Sequence, residues 1–230
     1  MTFKVRILTL FPNSFPGPLS ESLIGKGLKN NLWSLEVFNL RDFALNKHKN
    51  VDDTPYGGGP GMIMKPEVID AGIKKFTGNS SPKIFLTPRG KPLNQKKSIE
   101  LSKNKGLDLI CGHYEGIDER IINFHQLEEI SIGDFVLSGG ETATIVLLDS
   151  VLRLLPSILG GSKSLFEESF SDLPLLEYPQ YTKPKIWKNL QVPEVLLSGN
   201  HKKIDEWRYK KRLDDTKERR PDLWKKNKKV

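Results

Sequence analysis

LDLICGHYEGIDER, residues 107–120, changes character at its middle. Leu107 to Cys111 is a short, mostly apolar run that stops at Gly112. Glu115, Asp118, Glu119 and Arg120 follow within eight residues. The first half reads as a strand buried on both faces. The second half reads as a loop at that strand's carboxyl end, where open α/β sheets bind their ligands.

The same alternation extends to both sides. VRILTLF (5–11), LEVFNL (35–40), KIFLTP (83–88), LDLICG (107–112) and EEISIG (128–133) are expected strands. PLSESLIGKGLKNN (18–31), PEVIDAGIKKF (66–76), NQKKSIELSKN (94–104) and ETATIVLLDSVLRLLP (141–156) are expected helices, the last being the most apolar. Strands alternating with helices predict an α/β layer architecture with a mostly parallel sheet. The pattern lapses after Pro156. GGSKSLFEESFSDLP (160–174) has little periodicity and reads as a linker or flexible loop. NHKKIDEWRYKKRLDD (200–215) is again amphipathic, with Ile204, Trp207 and Arg208 or Tyr209 turned inward. A small helical C-terminal domain is therefore expected.

Two more glycine loops accompany Gly112–Gly116: PYGGGPG (55–61) and SIGDFVLSGGE (131–141), the latter flanked by Asp134 and Glu141. Glycine at a strand end either turns the chain or lets backbone approach a ligand closely. Neither G-x-x-x-x-G-K-[ST] nor a G-x-G-x-x-G after the first strand occurs, so the usual phosphate-cradling loops are excluded. No His/Cys cluster has zinc spacing, and the four scattered histidines define no Ser-His-Asp set. Arg153, late on the apolar helix, either caps its end or points into the crevice.

The formal charge is +8, and residues 201–230 hold nearly all of the excess, with 13 Lys and Arg against 6 Asp and Glu. Trp207, Tyr209 and Trp224 interleave those charges. A basic segment with aromatics suits phosphates and exposed bases, or else is a solvated helix face. One cysteine, Cys111, excludes an intramolecular disulfide framework and fits a reducing cytosol. The N-terminus is too short and too charged for a signal peptide or anchor, and no apolar run approaches the roughly 20 residues that span a bilayer.

YGGGPGMIM, LICGHYEGIDER, SIGDFVLSGGE, LEYPQYTKP, VPEVLLSGNH and RRPDL occur in this order over nearly the whole chain. Together they resemble the bacterial tRNA (guanine-N1)-methyltransferases of the SPOUT superfamily. The resemblance implies a SPOUT fold with a deep trefoil knot, residues 1–158 binding S-adenosyl-L-methionine. A flexible linker over 159–175 and a basic helical tRNA-binding domain over 176–230 would follow. It implies methyl transfer to N1 of the guanosine at position 37 of tRNA, a homodimer whose active sites are shared between subunits, a cytoplasmic location and dependence on Mg2+. No membrane and no other stable protein partner are implied.

By the same resemblance, Phe85, Leu86, Thr87, Pro88, Gly112, Tyr114, Gly116, Ser131, Ile132, Gly133, Phe135, Leu137, Gly139 and Gly140 would hold the donor. Main-chain groups of Ile132, Gly133, Phe135 and Leu137 would meet its adenine. Gly58, Gly59 and Pro60 would lie near the target base. Lys202, Arg208, Arg219 and Arg220 would grip the anticodon arm. Arg153 would face guanine O6, and Glu115 would serve activity and the metal. The general base falls on Glu168, in Glu-Ser-Phe, where the family pattern is Asp-Ser-Phe; Asp172 is an alternative four residues on. His113 is a second departure, at a position where the family commonly has Arg. These departures are the support for a rival reading, a catalytically silent RNA-binding protein.

Overall fold

The computed structural model describes residues 2–76, 81–159, 168–170 and 173–227. The chain divides into two compact units, Met1–Gly160 and Gly161–Val230.

In the first unit the order is β1 (Phe3–Thr9), α1 (Ser22–Lys29), β2 (Trp33–Asn39), two short strands β3 (Asp52–Asp53) and β4 (Ile63–Met64), α2 (Pro66–Ile73), β5 (Lys83–Pro92), α3 (Gln95–Ser102), β6 (Gly106–Ile110), α4 (Glu119–His125), β7 (Glu128–Ser131) and α5 (Gly140–Leu152). Five strands form one sheet in the order β2-β1-β6-β5-β7, and every pairing in it is parallel. β3 and β4 pair antiparallel beside it.

Successive side chains of a strand point to opposite faces, and β1 shows the consequence. Val5 and Ile7 join a core with Leu147, Leu148 and Val151 of α5, Leu101 of α3 and Trp33. Leu8 joins the opposite core, with Val68 and Ile69 of α2 and Ile121 and Ile122 of α4. The sheet is thus covered on both faces, which is why its strands read as near-continuous apolar runs. Arg6 and Asp108 are the exception. They are register partners on β1 and β6 and form a buried two-bond ion pair at 2.7 and 2.8 Å.

Local chemistry fixes the helix ends. The Asn94 side chain accepts from Lys97 N at 2.9 Å and starts α3. Pro66 opens α2, where its missing N–H costs nothing. Asp118 caps α4, accepting from Arg120 N at 2.9 Å. The sequence reading placed a charged loop over the first two residues of α4 and no element over the rest. The expected helix over 18–31 is also divided, into a 3-10 turn at Gly17–Ser20 and α1, because Glu21 between them is extended. β5 runs past Pro88 to Pro92 through a bulge, with Leu86 and Lys91 both opposite Ile130.

The second unit contains a hairpin, β8 (Ile186–Trp187) and β9 (Leu190–Gln191), followed by α6 (His201–Arg219) and α7 (Pro221–Asn227). Asn200 caps α6 by accepting from Lys203 N at 3.1 Å. Buried Thr216 receives Leu176 N at 2.9 Å and donates to Arg212 O at 2.6 Å, tying the preceding segment to α6. On that helix Trp207 lies 6.3 Å from Tyr181 between ring centroids, and Arg208 stacks over Tyr178 at 4.8 Å. Tyr209 is exposed instead. Much of the segment read as a linker, with Glu167 and Asp172, lies outside the described residues. Within it, Ser169 Oγ accepts from Glu177 N at 2.8 Å, and Phe170 N donates to Leu175 O at 3.1 Å.

Candidate active site

Three carboxyl-end segments converge on a cleft of about 220 Å³. Phe85, Leu86, Thr87 and Pro88 come from β5, where the bulge turns the chain outward. Gly112, His113, Tyr114, Glu115 and Gly116 follow β6. Ser131, Ile132, Gly133, Phe135, Leu137, Gly139 and Gly140 connect β7 to α5. All the residues named from the sequence for the donor therefore meet around one opening.

Much of this wall is main chain. Gly140 N donates to Gly112 O at 2.8 Å, and His113 bridges Gly139 in antiparallel fashion. The loop before α5 is thereby fastened to the loop after β6. At Gly139 a Cβ would overlap the His113 ring and the Glu141 carboxylate. A side chain there would have to displace the His113 ring or the Glu141 carboxylate. Ser131 Oγ donates to Gly133 O at 3.0 Å and accepts from Gly133 N at 3.2 Å, which sets the curve of the loop between β7 and α5. Phe135, Leu137 and Tyr114 expose apolar surface at the rim. Backbone polar groups with a few aromatic and aliphatic walls suit a nucleoside-sized ligand, so the residues present fit S-adenosylmethionine.

Beneath the cleft lies a polar cluster that sequence reading did not assemble. Buried Glu141, in the first turn of α5, accepts from Thr9 Oγ1 at 2.6 Å. Its other oxygen is 3.9 Å from His113 Nδ1. In the sequence Glu141 is only a charge beside glycines, and Thr9, 132 positions away, gives no signal. Cys111 is wholly buried, 3.2 Å from Thr144 Oγ1, and burial pushes its thiol far up, so it is no nucleophile.

The end of PYGGGPG and the residues just after it pack against the loop that follows β6. Glu115 N donates to Met62 O and Met64 N to Gly116 O, both at 3.0 Å. A Cβ at Gly61 would overlap the Glu115 side chain. Gly57, Gly58 and Gly59 all have positive φ with open space around them, so there glycine serves the turn. Pro60 is exposed beside them. In GIDER, Asp118 holds Arg120 through two bonds at 2.9 and 2.7 Å, and Glu119 pairs with Arg89 at 3.0 Å. Those bonds hold the Asp118 carboxyl below its ordinary value against the opposing effect of burial. These charges are engaged in shaping the start of α4.

Among the described residues no three His, Cys, Asp or Glu side chains are grouped to hold a metal. Glu115 offers the cleft one carboxylate. Mg2+ keeps several waters and takes one or two protein carboxylates, but a single exposed carboxylate is not a site, and no catalytic step is derived through a metal.

The tRNA (Guanine-1)-methyltransferase TrmD family model matches residues 3–226. The chain is 53% identical to a tRNA (guanine-N(1)-)-methyltransferase of Pelagibacter ubique over 227 residues, 99% of each chain. It is 49% identical to the protein of that name from Agrobacterium fabrum, over 97% of this chain and 96% of the other. A third, from Rhodospirillum rubrum, is 50% identical over 97% of this chain and 93% of its own.

The chain belongs to the tRNA (guanine-1)-methyltransferase family.

In this methyltransferase the remaining named residues lie at the end of α5 and in the second unit. Arg153 is the C-cap residue of α5, whose other end, Gly140, lines the cleft. Thirteen helical residues put roughly 20 Å between the two ends. Glu168 is half-buried and belongs to the second unit. Lys202 and Arg219 are exposed on α6. Arg220 binds Asp222 through bonds of 2.9 and 2.7 Å, which brings the Asp222 carboxyl down to about 2. Arg208 is partly covered by its stack on Tyr178 and lies 3.6 Å from Asp205.

Proposed function

We propose that the chain methylates N1 of the tRNA guanosine at position 37, beside the anticodon, with S-adenosyl-L-methionine bound in the cleft. The observation that carries the reading is the backbone-walled cleft between Leu86, Gly112 and Gly139, in a chain of this family. When bound, the donor supplies an electrophilic methyl whose bond to sulfur breaks as the N1–carbon bond forms. Neutral guanine carries a proton on N1 and is a poor nucleophile, so a base must take that proton as the methyl is attacked. Glu168 is assigned that role. Negative charge then spreads towards O6, where the Arg153 guanidinium stabilises it. The target base leaves its stack to reach the cleft, beside Gly58, Gly59 and Pro60.

The position of Arg153 supports a homodimer. One end of α5 touches the donor cleft and the other carries the guanidinium, so a second copy is the natural source of the Arg153 that completes each site. The basic α6, with Lys202, Arg208, Arg219 and Arg220, contributes phosphate contacts to the anticodon arm. Residues 1–158 act as donor-binding catalytic domain, 159–175 as connector and 176–230 as tRNA-binding domain. The 131–140 segment, fastened to Gly112 and His113, is the part of the chain that the family's knot would involve. With tRNA as its substrate, the enzyme would work in the cytoplasm.

The test is to incubate the protein with unmodified tRNA transcript and labelled donor, and to map the product by mass spectrometry. N1-methylguanosine beside the anticodon is expected. Glu168→Gln should lower turnover by about 100-fold or more. Methylation elsewhere, or none, overturns the reading.

A further inference from the structure

The β8–β9 hairpin is an unusual piece of surface. Trp187 and Leu190 are direct register partners, so their side chains share one face. They are 58% and 67% exposed, and Ile186 on the opposite face is 52% exposed. Every residue from Tyr181 to Gln191 is exposed. Three large apolar side chains on a two-stranded ribbon contribute little to folding unless something covers them.

The charge around them is one-sided. From Tyr178 to Pro193 the sequence contains Lys183, Lys185 and Lys188 and no Asp or Glu. Lys188 and Asn189, both at positive φ, make the tight turn. That turn returns the Lys188 ammonium over the neighbouring indole, 4.9 Å from its centroid. An aromatic plate with a cation held beside it, and two further lysines in the same stretch, matches a nucleobase with its adjoining phosphates. An apolar protein partner would call for none of these lysines, and an acidic one would not explain the bare indole.

We propose that this hairpin is an RNA contact of the enzyme, in which Trp187 stacks on an unpaired nucleotide of the tRNA and Lys183, Lys185 and Lys188 meet the flanking phosphates. The proposal rests on the tRNA reading above and adds to it a contact outside the basic α6.

The experiment compares full-length wild type, Trp187→Ala, Trp187→Phe and Lys188→Ala. Binding of unmodified tRNA transcript is measured by filter retention across a salt series, with steady-state methylation and sedimentation on the same preparations. Trp187→Ala should weaken tRNA binding about 10-fold and raise KM for tRNA with kcat little changed. Trp187→Phe should restore most of the affinity. Lys188→Ala should make the salt dependence shallower by about one counterion. Affinity within about twofold of wild type for Trp187→Ala overturns the proposal. So does a loss of self-association in that variant with tRNA affinity otherwise kept, which would make the hairpin a contact between copies of the chain. Wild-type protein that fails to methylate tRNA sinks the functional reading instead, so the two failures are distinguishable.

Discussion

Thr9 donates a hydrogen bond of 2.6 Å to Glu141, joining the last residue of β1 to the first turn of α5. The bond lies behind Gly139, which has no room for a side chain between His113 and Glu141. Glu141→Ala should leave the buried Thr9 hydroxyl without its acceptor and cost about 1–3 kcal/mol of stability. It should also weaken donor binding as the Gly139 turn loosens. Glu141→Gln retains an acceptor oxygen and should keep most of both. Thermal melts and calorimetric titration with S-adenosylmethionine check this; equal losses in the two variants would contradict it.

Glycines of the two loops should separate by mechanism. Gly139→Ala forces atoms into the His113 ring and Glu141 carboxylate and should abolish measurable donor binding. Gly58→Ala meets open space and strains only a positive-φ backbone, a cost of order 1–3 kcal/mol. Its donor binding, read by the same titration, should stay near normal.

Arg6 and Asp108 give a core test. Asp108→Ala leaves a buried guanidinium without its counter-charge and should destabilise by about 3–5 kcal/mol. Arg6→Met with Asp108→Leu removes both charges and should recover most of that loss in urea denaturation.

Asp118 sets a pH dependence. Its native carboxyl titrates below the ordinary value near 3.8, chiefly because Arg120 bonds to it. Stabilisation from this group is therefore complete above the unfolded value and lost as pH falls through the native one. Wild type should exceed Asp118→Ala in urea stability by a margin that shrinks with acidification from about pH 6 to about pH 3. A margin that grows on acidification would contradict the assignment.

The separation of Arg153 from the cleft along α5 yields a complementation test. Gly139→Ala and Arg153→Ala homodimers should both be inactive. In a two-fold dimer with shared sites, co-expression of the two variants leaves one intact cleft facing one intact Arg153. Half of the dimers would be mixed, so activity should return to about a quarter of wild type. A mixture as inactive as its parents would mean that Arg153 serves its own subunit's cleft.

The five sheet strands were legible because burial on both faces leaves runs such as ILTLF and DLICG almost without polar residues. α4 was not, because Asp118, Glu119 and Arg120 at its start read as loop while only Ile121 and Ile122 mark its buried side. The bulge in β5 hid behind Pro88 and Gly90, which look like a strand's end. The cleft-lining segments could be named from their motifs, whereas the Thr9–Glu141–His113 cluster joins residues up to 132 positions apart that only folding brings together. The exposed hairpin was equally silent: IWKNLQ alternates too briefly to declare a strand pair.

The proposed function requires the cleft between Leu86, Gly112 and Gly139 to hold the methyl donor. A crystal structure of the full chain grown with S-adenosylmethionine tests it most directly. The adenine is expected against the main chain of Ile132 to Leu137, with the sulfonium methyl open to solvent near Glu115. Donor density elsewhere on the protein, or saturating donor with this cleft still vacant, would contradict it.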